Sequence, residues 1–134
     1  MASTIRQLAA AWVTGCTAVA SMACAGPSQQ LKWQKFTLTP DPVIQPLLKG
    51  VPQTGGMRSG RMVLAAGGKM HKHSTEGNEE VLVFLVGKAV VLLDGTPVEM
   101  SAGEVLYIPP HTSHEVHNDS DSEVRYIFTV APVR

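Results

Sequence analysis

From Gly60 to the end of the chain, short apolar runs alternate with turn residues. The runs cover 61–66, 70–73, 81–86, 88–93, 96–100, 104–108, 113–117 and 123–130. Between them stand Gly67-Gly68, Gly87, Asp94-Gly95, Ala102-Gly103, Pro109-Pro110 and Asn118-Asp119-Ser120. Runs of this length, rich in Val, Ile, Leu, Phe and Tyr, predict strands. Their even spacing predicts an all-β sandwich or barrel. Asp94-Gly95 predicts a two-residue hairpin, because both residues tolerate positive φ. The run 81–86 is apolar at every position, which predicts a strand buried on both faces. No helical repeat is visible after residue 60.

Residues 26–59 have a different texture. Pro27, Pro40, Pro42, Pro46 and Pro52 exclude long helices and central strands there. One short strand is expected at 33–38, and the rest reads as a Pro-rich N-terminal arm laid along the domain. Residues 1–25 read as a secretory signal peptide. Arg6 is their single charge, an apolar stretch follows, and Ala23-Cys24-Ala25 supplies a small-x-small site. The expected protein is therefore exported, periplasmic or extracellular, and begins near Gly26. The alternative is a lipid-anchored form acylated at Cys16 or Cys24. Both cysteines lie in the leader, so the mature chain would hold no disulfide, thiolate metal site or cysteine nucleophile. Its apolar stretch is too weakly hydrophobic for a permanent transmembrane span.

Charge narrows the partners. Lys+Arg and Asp+Glu are 11 each, so nothing draws the whole chain to nucleic acid or to anionic membranes. The expected partner is a small-molecule ligand or substrate. Sheet edges and the arm are compatible with a homodimer.

All five histidines fall between positions 71 and 117. His71 and His73 lie on one predicted strand, where residues two apart share a face. Glu80 opens the next strand, and His114 opens another after Pro109-Pro110. Three imidazoles and a carboxylate form a mixed nitrogen and oxygen set suited to one divalent transition metal ion: Mn, Fe, Co, Ni, Cu or Zn. A lone His-x-His pair would be a weak signal; the ordered partners give it weight. His117 is out of phase with His114 and should face away. Asn118 should shape a turn.

These residues resemble the two motifs of the cupin family. The first motif runs Gly, His-x-His, Glu, then Gly after six further residues. Here it is His71-Lys72-His73, Glu80 and Gly87. The glycine pair before His71 is closer than the pattern has it, and the gap from His73 to Glu80 is longer. The longer gap brings Glu76 and Glu79 in as alternatives, but only Glu80 keeps the Gly87 register. The second motif runs Gly, Pro-x-Gly, His, then Asn. Here it is Gly103, Pro109-Pro110-His111, His114 and Asn118, with His111 in place of the glycine.

The resemblance covers roughly 60–131. It implies a single β-barrel of the double-stranded β-helix (jelly-roll) type, with His71, His73, Glu80 and His114 as metal ligands. Leu82, Phe84, Tyr107, Met62, Met70, Tyr126 and Phe128 are wall or rim candidates, each read first as ordinary core packing; Arg61 and Arg125 are the candidate cations for an anionic substrate or, equally, charges on the barrel exterior. His111 is expected at the pocket mouth or capping a turn. The family hosts many chemistries on one fold. A metal-dependent enzyme (dioxygenase, isomerase, decarboxylase or lyase) is the first expectation. A non-catalytic small-molecule or metal-binding module of the cell envelope is the second.

Overall fold

The computed structural model describes residues 30–41 and 43–133. The segment 1–25 expected to be a leader, with Cys16 and Cys24, and the first residues of the expected arm lie outside the described residues. Nine strands are described: β1 (Ile44–Lys49), β2 (Arg58–Leu64), β3 (Lys69–Ser74), β4 (Asn78–Val86), β5 (Lys88–Leu93), β6 (Thr96–Ser101), β7 (Val105–Ile108), β8 (Ser113–His117) and β9 (Val124–Pro132). They form two antiparallel sheets, ordered β1-β2-β9-β4-β7 and β3-β8-β5-β6. Among the described residues there is no helix, hence none long and apolar enough to cross a membrane.

The core follows from strand alternation. Side chains two apart share a face, so Leu64, Met62, Leu82, Phe84, Tyr126 and Val124 point from the larger sheet at Val91, Ala89, Met100 and Val116 of the smaller one. Phe84 and Tyr126 are direct partners across β4 and β9, and their rings lie 5.2 Å apart. The opposite phase is polar on β8, with Ser113, Glu115 and His117, but largely apolar and half-buried or exposed on β4, with Val81, Val83 and Leu85.

The turns are as the sequence predicts. Asp94 (φ 48°) and Gly95 (φ 86°) both take positive φ between β5 and β6. Gly87, between β4 and β5, has φ 81°, and a Cβ there would stand 2.4 Å from the carbonyl oxygen of Glu123. Gly87→Ala therefore meets both a backbone conformation that L-residues resist and a backbone clash. It is expected to lower unfolding free energy by about 2 kcal/mol or more, as read from urea melts; a loss no larger than that of an exposed strand substitution would contradict this.

Two expectations are corrected. Residues 33–38 are not a strand; the strand of this region is β1, despite Pro46. β1 is an edge strand, and its register with β2 shifts between Pro46 and Leu48, where a missing N–H is tolerated. The run 81–86 is buried on one face only, since Leu85 and Val86 are exposed. Conversely, β2 is buried on both faces. Its outer residues Ser59, Arg61 and Val63 are buried too; the segment before β1 reaches Arg61, whose guanidinium donates to the Pro40 carbonyl, and Val63 N–H donates to the Val43 carbonyl.

Candidate metal centre

β3 and β8 carry the histidines. Met70 pairs with Val116 and His73 with His114, so three steps on β3 match two on β8. One extra residue on β3 makes a β-bulge, which breaks the two-residue alternation between Met70 and His73. Met70 and His73 consequently both face the space between the sheets. On β8, which has no such interruption, His114 and Val116 face inward, while Glu115 and His117 face outward. On β4, Glu80 shares the inward phase of Leu82 and Phe84.

The result is a convergent trio. One ligand atom each from His73, Glu80 and His114 lies within 4.8 Å of the others. His114 Nε2 stands 3.2 Å from Glu80 Oε2, with both side chains buried. The His73 and His114 rings lie 4.2 Å apart, tilted by 57°. His73 Nδ1 donates to the His71 carbonyl at 2.9 Å, which leaves Nε2 as its lone-pair nitrogen. The structure does not bring the His71 imidazole into the group. His71 is exposed beside the bulge and serves the site through its backbone carbonyl.

The donor chemistry fits a metal ion. A carboxylate 5% exposed needs a positive partner to offset its desolvation. Two imidazoles and one carboxylate on one side of an ion leave its other positions open.

The loops around the trio are pinned by Thr75, a buried residue that the motifs do not single out. Its hydroxyl donates to the Pro109 carbonyl and accepts from Thr112 N–H at 3.0 Å, while its own N–H donates to the Thr112 carbonyl. The turn after β3 is thus tied to the turn before β8. His111 N–H donates to the Glu76 carbonyl at 2.7 Å, and His111 takes φ 59°. That is the glycine position of the second motif, and its positive φ accounts for the glycine there. His111 caps this turn and is exposed.

The trio lies on the wall of a cavity of roughly 310 Å³ between the sheets. Met70, Leu82, Val116, Phe128 and Val130 give it an apolar body; Arg58, Glu76 and Asn78 stand among its polar lining. Tyr126 is also among the residues around it, and its hydroxyl is buried and without a hydrogen-bond partner among the described residues. Burial, and secondarily the Glu80 charge, hold that phenol well above its ordinary pKa, so it remains a neutral donor.

Other candidates stand elsewhere. Tyr107 pairs with Val81 in the outward phase, is exposed, and donates to Glu79 at 3.1 Å. Arg61 is buried on the outer face of the larger sheet, and Arg125 pairs with Glu123. The cation of the cavity is Arg58, which shares the inward phase of Met62 on β2. His117 faces outward against Glu115 at 2.9 Å, and its hydrogen bond draws the Glu115 carboxyl below its usual range. Asn118 is fully buried and shapes its turn.

A family model described as the cupin domain matches residues 60–130, more than half of the chain. The chain belongs to the cupin family. This cupin is 34% identical over 74 residues to an uncharacterized protein of Methanocaldococcus jannaschii, covering 54% of each chain. It is 27% identical over 70 residues to an oxalate-binding protein of Thermotoga maritima, covering 52% of this chain and 58% of that one. The chain thus spans between half and three fifths of these relatives. Among solved structures, a cupin protein from Bacteroides fragilis superposes with a TM-score of 0.65 at 25% identity, over 78% of this chain and 87% of that one.

Proposed function

We propose that this cupin is a metal-dependent enzyme acting on a small organic acid, with His73, Glu80 and His114 as the resident ligands. The observation that carries the proposal is the convergence of those three side chains on the wall of a cavity large enough for a small molecule. A two-histidine, one-carboxylate set with open positions suits non-haem iron best, though manganese also fits its donors. When bound, a divalent ion supplies Lewis acidity, and iron supplies redox chemistry as well. The chain's own residues do the rest. The apolar wall excludes water, Thr75 fixes the two loops, and Arg58 offers a cation to an anionic group. A divalent charge outweighs Glu80, while Arg58 balances Glu76, so the loaded cavity favours an anion.

The wall is mainly apolar, which suits oxidative chemistry better than acid–base chemistry. It also suits plain binding, the second reading, which the name of the T. maritima relative supports. One experiment separates the two. Purified protein is loaded anaerobically with Fe2+, Mn2+, Ni2+ or Zn2+, and bound metal is counted. The loaded protein is then exposed to a panel of small carboxylic acids, following binding, oxygen uptake and products. One equivalent of metal with metal-dependent turnover is expected. Binding without turnover of any acid would establish the second reading, and failure to retain any metal would overturn both the site and the enzyme.

A further inference from the structure

Tyr126 is rooted in the core, where β9 meets β2 and β4 and where Met62 and Phe84 are its strand partners. Its ring is held by Phe84, Tyr126 is one of the residues around the cavity, and its buried hydroxyl is near enough to Glu80 for the carboxylate charge to act on it. The residue is 1% exposed and its hydroxyl has no protein partner among the described residues. A buried donor left unpaired costs stability, and phenylalanine would fill the same space without that cost. A hydroxyl kept at such a place calls for a partner that the folded chain does not supply. On the cavity wall Leu82, Phe128 and Val116 offer no acceptor side chain, and the Glu80 carboxylate, though close enough for its charge to be felt, makes no hydrogen bond to the hydroxyl.

We infer that Tyr126 is a substrate-positioning donor, whose hydroxyl hydrogen-bonds an acceptor oxygen of a small, apolar-bodied molecule seated in the cavity beside His73, Glu80 and His114. This names a feature of the ligand and rests on the reading of that cavity as the substrate site. The ligand carries a carbonyl, carboxylate or hydroxyl oxygen at its inner end, and its hydrocarbon part packs on Phe128, Leu82 and Val116. An acceptor oxygen pairs the phenol, whereas a wholly apolar guest would leave it unsatisfied. The site therefore discriminates for oxygenated guests.

The test is Tyr126→Phe, examined by three measurements. Fluorine NMR gives the affinities of 4-fluorobenzoate, 4-fluoroacetophenone and fluorobenzene, the last lacking an acceptor. Thermal unfolding gives stability, and bound metal after loading reports on the ligand trio. In the wild type at least one oxygenated probe is expected to bind. In Tyr126→Phe its affinity should fall about tenfold or more, while fluorobenzene changes less than about twofold and Tm stays level or rises. A structural role would instead lower Tm. Equal affinities in the two proteins, absence of binding by either oxygenated probe to the wild type, or a clear fall in Tm would each overturn the assignment. The metal count is independent of the probes. A wild type that binds probes but retains no metal would fail the metal proposal and leave the Tyr126 result to be judged by affinity alone.

Discussion

His73→Ala, Glu80→Gln and His114→Ala are each expected to weaken binding of a divalent transition ion by more than the roughly 10–100-fold that loss of an outer-shell partner costs, whereas His71→Ala should stay within about threefold of wild type. The contrast follows from the bulge on β3. Val116 and His114 are two apart on β8, but their partners Met70 and His73 are three apart on β3. The inward phase therefore passes from Met70 to His73 and leaves the His71 ring outside the trio. The His71 carbonyl remains in the alanine variant and still accepts from His73 Nδ1. Glu80→Gln preserves shape while removing the charge that makes the centre attractive to a cation. Equilibrium dialysis with Mn2+ and Zn2+, with circular dichroism to check the fold, decides the matter. Equal losses at His71 and His73 would show that β3 closes on the ion with four ligands in solution.

The second large effect is expected at Asn118. Its amide nitrogen donates to the carbonyls of Leu64, Ala65 and Ser122, and its oxygen accepts from the backbone and hydroxyl of Ser120. The side chain is fully buried. Asn118→Ala strands three carbonyls and the two Ser120 donors at once, at a cost of about 3–5 kcal/mol if each lost bond contributes the usual ~1. Asn118→Asp should cost at least as much. A carboxylate keeps the size but turns its oxygens on carbonyl oxygens where donors are required. Chemical denaturation of the two variants measures this, and an aspartate variant within about 1 kcal/mol of wild type would show that the network contributes little.

Much of this architecture is legible in the sequence because strand signals are local. Lys88–Leu93 and Ser113–His117 emerge with the bounds their apolar runs suggest. Asp94-Gly95 marks its own turn. His73, Glu80 and His114 could be singled out because a His-x-His pair, a carboxylate and a later histidine stand in the order of the two cupin motifs, each close to a turn signal. What escaped is non-local. A bulge depends on the partner strand, so the pairing rule for His71 and His73 could not register one extra residue. Arg61 and Arg58 look alike in sequence; only the phase of β2, and the segment that roofs its outer face, bury one there and turn the other toward the cavity. Tyr107 and Tyr126 differ in the same way. Thr75 carries no motif, and its role requires both turns to be seen together. β1 escaped because Pro46 argues against a strand interior and says nothing against an edge.

The three metal-ligand candidates do not belong to one sheet. His73 and His114 come from the smaller sheet and Glu80 from the larger, and β3 has a neighbour on one side only. An ion gripped by all three would clasp the two layers at their open end and tether an edge strand that is otherwise held along a single border. Loading would then be felt as mechanical closure well beyond the donors themselves. Amide exchange along β3 should slow many-fold on loading, while β5, already flanked on both sides, should barely change.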